Sequence, residues 1–132
     1  MQPALKFLIA GGALVLAGIA HADAPRIGLA APLSGPTALL GAQLRDGAAI
    51  AAERAGTELL AADDECTAEG GARAARELVA ERVEIVVGFL CTEAIETALP
   101  VLAEAGIAVV TPGVRANGLT DRLHAVEADE DR

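Results

Sequence analysis

Short apolar runs alternate with longer segments of helical periodicity over most of the chain. The apolar runs are continuous, which is typical of parallel strands buried on both faces, and each is too short for a helix. The segments between them repeat apolar residues at helical spacing and are rich in alanine. The pattern predicts strands at 26–32, 58–65, 84–88 and 107–111, and helices at 38–55, 67–82 and about 93–105.

Regular alternation of strand and helix predicts an α/β fold, an open parallel sheet with flanking helices and right-handed crossovers. In such sheets, ligands bind outside the carboxyl ends of the strands. The prediction therefore selects the segments after the four strands as candidate ligand contacts: 32–37, 63–67, 88–92 and 111–118.

The start of the chain has a different pattern. Lys6 precedes an unbroken apolar run, 7–20, that ends at an Ala-His-Ala sequence. These features are typical of a secretory signal peptide, and the run is shorter than the roughly 20 residues that a membrane-spanning helix needs. We expect residues 1–22 to be cleaved and residues 23–132 to form one periplasmic domain. An uncleaved membrane anchor is the alternative.

Charge and motifs restrict the possible partners. The chain has 19 acidic residues against 10 basic ones, which does not suit the phosphates of nucleic acid or an anionic membrane surface. The sequence has no glycine-rich phosphate motif, no metalloprotease motif and no Cys/His set with zinc-ligand spacing. We therefore expect no nucleic-acid partner, no cofactor, no metal and no enzyme activity.

The two cysteines, Cys66 and Cys91, both lie in the region that we expect to be exported. An even number of cysteines in an oxidising compartment favours a disulfide. The alternative is a catalytic thiol at Cys91, as in a secreted flavodoxin-like enzyme. A thiol nucleophile needs a base nearby, and the histidine of the expected mature region, His124, is distant in sequence.

Polar residues follow three of the predicted strands. Thr92 lies where the third helix begins, and the free N–H groups of a helix start favour a carboxylate; alternatively, Thr92 only caps the helix. The loop 111–121 contains Arg115, which can pair with a carboxylate in bidentate fashion or lie in an ordinary surface turn. The acidic run 63–65 has the ligand type of a divalent-cation site, but we interpret it as a solvated edge.

Four stretches, in this order, resemble the leucine/isoleucine/valine-binding protein family, the periplasmic substrate-binding proteins of branched-chain amino-acid ABC importers. They are IGLAAPLSGPTALLGAQLRDGAAIAAE, DDECTAEGGARAARELV, VVGFLC and AGIAVVTPGVRANGLTD. The resemblance implies a type I fold in which two α/β lobes close on a ligand. Because family members are much longer, we expect this chain to be truncated to most of the first lobe.

The resemblance also implies roles for particular residues. The position after the second cysteine, here Thr92, contacts the α-carboxylate of the ligand, and the loop after the fourth strand offers backbone groups at Gly113, Val114 and Arg115. Leu40 stands where an aromatic residue often lies against the ligand side chain. Arg115 replaces a small hydroxyl residue, so it either reaches the carboxylate or fills the pocket. The cysteines stand where amino-acid-binding members carry a disulfide.

The implied function is recognition of a small molecule, with delivery of a branched-chain amino acid or an analogue to an ABC permease in the membrane. The family also binds amides, urea and aromatic acids, so these ligands are alternatives. Two different roles also stay open at this point: a fragment without independent function, and the secreted enzyme with a Cys91 nucleophile.

Overall fold

The computed structural model describes residues 24–114. Strands and helices alternate in the predicted order: β1 Arg26–Ala31, α1 Ala38–Ala55, β2 Glu58–Asp63, α2 Ala68–Ala80, β3 Ile85–Gly88, α3 Thr92–Glu104 and β4 Ala108–Val110. All seven predicted elements are present, and their ends differ from the predicted ones by at most two residues. The expected signal peptide and Arg115 lie outside the described residues.

The four strands form one parallel sheet with the order β2-β1-β3-β4. Leu29 in β1 lies between Ala61 of β2 and Val87 of β3. The chain first moves from β1 to one side and then crosses back to β3 on the other side. The strand order therefore reverses at β1 and β3, which is where open α/β sheets form a ligand crevice at their carboxyl edge.

The main core lies between one sheet face and the helices α2 and α3, which pack closely against each other. Leu78 of α2, Leu102 of α3 and Val86 of β3 are fully buried in it. Gly71 of α2 faces Ala94 of α3 so closely that a Cβ at Gly71 would overlap the Ala94 carbonyl. The small residues of these helices therefore allow the close approach that brings their first turns together.

Helix α1 packs against β1 and β2 and has a shallower interface than α2 and α3. Its buried residues are Gly41 and Ala52, and Gly41 lies directly against the carbonyl of Pro32. The helix ends at Gly56, whose left-handed backbone and N–H bond to the Glu53 carbonyl close its last turn. Between residues 24 and 114, no helix has both the length and the apolar character needed to cross a membrane.

Candidate functional site

The described parts of the segments that were expected to carry the site lie at one edge of the sheet, because the four strands are parallel. A disulfide between Cys66 and Cys91 joins the loop after β2 to the residue before α3, with 5.3 Å between the two Cα atoms. The predicted disulfide is confirmed. Since this bond takes up both cysteines of the chain, Cys91 is not a free nucleophile, and the alternative of a catalytic thiol is wrong for this oxidised structure.

Thr92 is the first residue of α3, and its side chain is exposed at the carboxyl edge. The N-cap is Cys91, whose side chain makes no capping hydrogen bond within the described structure. The alternative interpretation, that Thr92 only caps this helix, is therefore wrong. The first intrahelical bond runs from the N–H of Ile95 to the Cys91 carbonyl at 3.2 Å. The N–H groups before Ile95 thus remain at the helix end, where they favour a carboxylate.

The start of α2 has a side-chain cap, whereas the start of α3 has none within the described residues. We call the α3 end the open start. Thr67 is the N-cap of α2, and its hydroxyl accepts a hydrogen bond from the N–H of Gly70 at 2.9 Å. A second hydroxyl, that of Thr97 in α3, donates to the carbonyl of Ala68 at 2.6 Å. The Thr97 bond and the Cys66–Cys91 disulfide fix the two helix starts relative to each other.

The turn after β4 is tied to the end of β3 by one side chain. Thr111 donates its hydroxyl proton to the carbonyl of Phe89 at 3.0 Å, and the same oxygen accepts from the N–H of Val114 at 3.3 Å. Gly113 is exposed and Val114 is partly buried. Because the Val114 N–H already has a partner, a ligand contact at Val114 has to use its carbonyl or its side chain.

Sequence reasoning missed Thr111. The available signal was a hydroxyl residue directly after a predicted strand, next to a Pro-Gly turn. Such a position marks a turn, but it does not identify the partner, since Phe89 lies 22 residues earlier in the chain.

Asp63 joins the loops after β1 and β2. Its Oδ1 accepts from the N–H of Leu33 at 2.8 Å and from the N–H of Glu65 at 2.9 Å. Burial raises the pKa of Asp63, but the Ser34 hydroxyl and the backbone N–H groups that donate to the carboxylate outweigh it, so the pKa lies below its ordinary value. The ionised Asp63 carboxylate therefore holds the loop after β1 against the loop after β2.

Asp64, its neighbour, is fully buried, with 0% of its surface exposed. Its Oδ1 accepts from the N–H of Cys66 at 2.9 Å, whereas Oδ2 has no hydrogen-bond partner among residues 24–114. Burial raises the pKa of Asp64, more than the bond from Cys66 lowers it, and the charge of Asp63 raises it further. The interpretation of 63–65 as a solvated edge is therefore wrong at Asp64, although Glu65 is exposed.

The acidic run also lacks the geometry of a cation site. In the part of the chain that the structure describes, no group of three or more His, Cys, Asp or Glu side chains is arranged to hold a metal ion. The carboxylates of Asp63 and Asp64 instead accept hydrogen bonds from backbone N–H groups of the loops, and Glu65 pairs with Arg73 at 3.1 Å.

Leu40 lies in the first turn of α1, which begins at the same carboxyl edge, and 55% of its surface is exposed. Helix α1 packs on β1 and β2, whereas α3 packs on α2 and β4. The structure ties the Gly113–Val114 turn to Phe89, three residues before Thr92, through the Thr111 hydroxyl. Leu40 lies in the first turn of α1 at the same edge.

Comparison with known proteins agrees with this architecture. A model of the periplasmic binding protein family matches residues 24–126. The Leu/Ile/Val-binding protein BraC3 of Rhizobium johnstonii is 36% identical over an alignment of 118 residues, and the match covers 83% of this chain and 32% of the relative. The chain therefore belongs to the periplasmic binding protein family. It spans about a third of the length of the curated relatives that it matches.

Solved structures share the fold. The branched-chain amino acid substrate-binding protein LivJ of Streptococcus pneumoniae, in complex with isoleucine, has a TM-score of 0.69 at 24% identity, over 74% of this chain and 31% of that chain. A solute-binding protein of an ABC transporter from Rhodopseudomonas palustris, in complex with 3,4-dihydroxybenzoic acid, has a TM-score of 0.68 at 25% identity, over 76% and 30%. The predicted fold class is confirmed.

Proposed function

We propose that the chain is an extracytoplasmic substrate-binding component of an ABC importer, and that it recognises a branched-chain amino acid or a similar small ligand without catalysing a reaction. The observation that carries the proposal is the open start of α3, where Thr92 has an exposed hydroxyl and the first N–H groups have no side-chain cap among residues 24–114. The turn after β4 is tied to Phe89, in the segment that leads to this helix start. Relatives named as Leu/Ile/Val-binding proteins support the choice of ligand.

The ligand carboxylate binds at the start of α3 in this proposal. The Thr92 hydroxyl and the first N–H groups of the helix donate hydrogen bonds to it, and the positive end of the helix dipole favours its charge. Glu93 lies in the same first turn and is exposed; its charge favours the ammonium group of a zwitterion over a simple anion. Arg115, which follows Val114 in the chain, is proposed as a second partner of the carboxylate.

The turn after β4 and the α1 start supply the remaining contacts. We assign backbone groups of Gly113 and Val114 to the amino-acid head and the exposed apolar surface of Leu40 to the ligand side chain. The Leu40 side chain has no hydrogen-bonding group, so it can contact an aliphatic or an aromatic ligand side chain. An aromatic acid is therefore the second candidate ligand, and the Rhodopseudomonas palustris neighbour was solved with one. Delivery to a membrane permease completes the proposed role.

Export is part of the same proposal. We propose that residues 1–22 are removed as a signal peptide and that residues 23–132 act in the periplasm. The Cys66–Cys91 disulfide supports this location, since disulfides persist in oxidising compartments. Intact-mass measurement on protein recovered from the periplasm tests it: the expected mass is that of a chain beginning at Asp23, and a mass that includes residues 1–22 contradicts cleavage.

Thermal unfolding of the oxidised chain with added ligands tests the binding proposal. Leucine at millimolar concentration is expected to raise the Tm, because a ligand that binds only the folded state stabilises it by mass action. Leucinamide, which lacks the carboxylate, is expected to have no effect, and Thr92→Val is expected to weaken the leucine effect. An equal Tm shift from leucine and leucinamide contradicts the assignment of the α3 start to a carboxylate. A shift from 3,4-dihydroxybenzoate alone supports the second candidate ligand.

A further inference from the structure

We propose that Thr111 is a positioning residue of the ligand-binding surface, whose hydroxyl holds the turn after β4 in place against the segment that leads into α3. The role in ligand recognition rests on the proposed function, whereas the positioning itself rests on the described contacts. Thr111 thereby sets the spacing between the two parts of the site, Thr92 and the turn at Gly113 and Val114.

The Thr111 hydroxyl connects the segments after β3 and β4 just beyond their last paired residues. The paired register of β3 and β4 ends with Val87 opposite Val110. Beyond these residues, the two segments are no longer joined by strand pairing. The Thr111 hydroxyl, one residue past β4, donates to the Phe89 carbonyl and accepts from the Val114 N–H. A hydroxyl has one proton and two lone pairs, so it satisfies both bonds at once.

Phe89 is a fixed attachment point for this bond. Its side chain is fully buried, and its N–H donates to the carbonyl of Ala30 in β1 at 2.7 Å. Its backbone is left-handed, with φ of 60°, a conformation that persists only where the surroundings hold it. The carbonyl of Phe89 therefore has a defined direction, and the bond from Thr111 depends on that direction.

The segment from Phe89 to Thr92 is held at both ends. Phe89 is anchored to β1, and Cys91, the residue before Thr92, is anchored to Cys66 by the disulfide. A change in the position of the turn relative to Phe89 is therefore a change relative to Thr92 as well. A head group that contacts both places requires this spacing.

The experiment compares the loss of a threonine hydroxyl at position 111 with the loss of one at position 57, at the other edge of the sheet. Thr111→Val removes the hydroxyl with little change in shape, and Thr111→Ser retains it. Thr57→Val is the matched control, because Thr57 is also partly buried and donates to a backbone carbonyl, that of Ala52 at 3.4 Å, at the opposite edge of the sheet. The readouts are amide hydrogen exchange at Val114 by NMR and leucine affinity, both on the oxidised full chain.

We expect Thr111→Val to exchange its Val114 amide roughly fivefold or more faster than the parent, on the scale of one hydrogen bond, and to bind leucine several-fold more weakly. Thr111→Ser is expected to restore both, and Thr57→Val is expected to change neither. The proposal is overturned if Thr111→Val leaves Val114 exchange unchanged, or if Thr57→Val weakens leucine binding equally.

Two further results separate this proposal from its premise. If Thr111→Val does not fold, the parent chain still decides the geometry: a Val114 amide that exchanges at the rate of an unstructured peptide overturns the positioning. If the parent binds no leucine, the proposed function fails on its own, and the exchange data alone decide whether Thr111 positions the turn.

Discussion

Two helices of this protein begin at the same dipeptide, and among residues 24–114 only one of the two starts has a side-chain cap. Cys66-Thr67 precedes α2 and Cys91-Thr92 leads into α3. At α2 the threonine is the N-cap and its hydroxyl is used by Gly70; at α3 the cysteine is the N-cap and the threonine is the first helical residue, exposed to solvent. A shift of one residue in the helix start thus separates an end with a side-chain cap from the uncapped end that we propose as the carboxylate site.

The loops before the helices account for this shift. Asp64 accepts from the N–H of Cys66, and its own carbonyl accepts from the N–H of Thr67 at 3.0 Å. These bonds hold Cys66 in a left-handed conformation, with φ of 58°, and leave Thr67 extended at the cap position. The loop directly before α3 contains no aspartate. Cys91 itself is extended, with φ of −127° and ψ of 131°, and the helix begins at Thr92, one position earlier in the dipeptide than at α2.

Removing the disulfide that joins the two helix starts is expected to change the free energy of unfolding most. Replacing both cysteines by serine releases a loop with a sequence separation of 25 residues, and the chain-entropy model gives a loss of about 3 to 4 kcal/mol in the free energy of unfolding. Urea unfolding of the double variant and of the oxidised parent measures it. A loss below about 1 kcal/mol would show that packing alone holds the helix starts together.

A smaller loss is expected from the point where the helices cross. Gly71→Ala places a Cβ against the backbone carbonyl of Ala94, which cannot rotate away as a side chain can. We expect a loss of about 1 to 3 kcal/mol, as for overpacked cores. Gly47→Ala is the control, because a Cβ at Gly47 in α1 meets no neighbour, and the replacement is expected to stabilise that helix slightly. Equal unfolding free energies for the two variants would contradict the close crossing.

The two threonines are expected to differ when each is replaced by alanine. Thr67→Ala removes a capping bond and should lower the free energy of unfolding by about 1 kcal/mol. Thr92→Ala removes an exposed hydroxyl that caps nothing in the described structure, so a change within about 0.5 kcal/mol is expected. Urea unfolding at neutral pH measures both. A larger loss at Thr92 than at Thr67 would reverse the assignment of the capped and the open start.

The smallest effect concerns pH. The raised pKa of Asp64 means that the folded state holds this proton more tightly than the unfolded chain does, so its stabilisation is present at low pH and is lost as pH rises from about 3.8 through the raised value. The lowered pKa of Asp63 acts in the opposite sense, and its stabilisation is lost as pH falls below about 3.8.

Asp64→Asn and Asp63→Asn are therefore expected to change the slope of stability against pH in opposite directions. Without Asp64, stability should fall less, or rise, as pH increases above 4; without Asp63, the loss of stability below pH 4 should be smaller. Urea unfolding at a series of pH values from 3 to 7 gives both slopes. A slope unaltered in Asp64→Asn would show that this carboxyl titrates as an exposed one.

Periodicity was enough to predict the strands, the helices and the sheet, because burial on both faces of a parallel sheet leaves continuous apolar runs. The disulfide followed from the cysteine count and the expected compartment. The burial of Asp64 did not follow, since three acids in a row are typical of a solvated surface, and the start of α2 covers this one. The bond from Thr111 to Phe89 joins residues far apart in sequence, and local patterns carry no information on such a contact.

The most direct test of the account is an NMR titration of the oxidised chain with leucine, followed at the amides of both helix starts. If the open start of α3 binds the carboxylate, the largest shifts will occur at Thr92, Glu93 and Ala94, while the capped start at Ala68 and Gly70 shifts much less. Shifts of equal size at both starts, or shifts confined to α2, would contradict the claim that a single residue of difference makes one helix end a binding site.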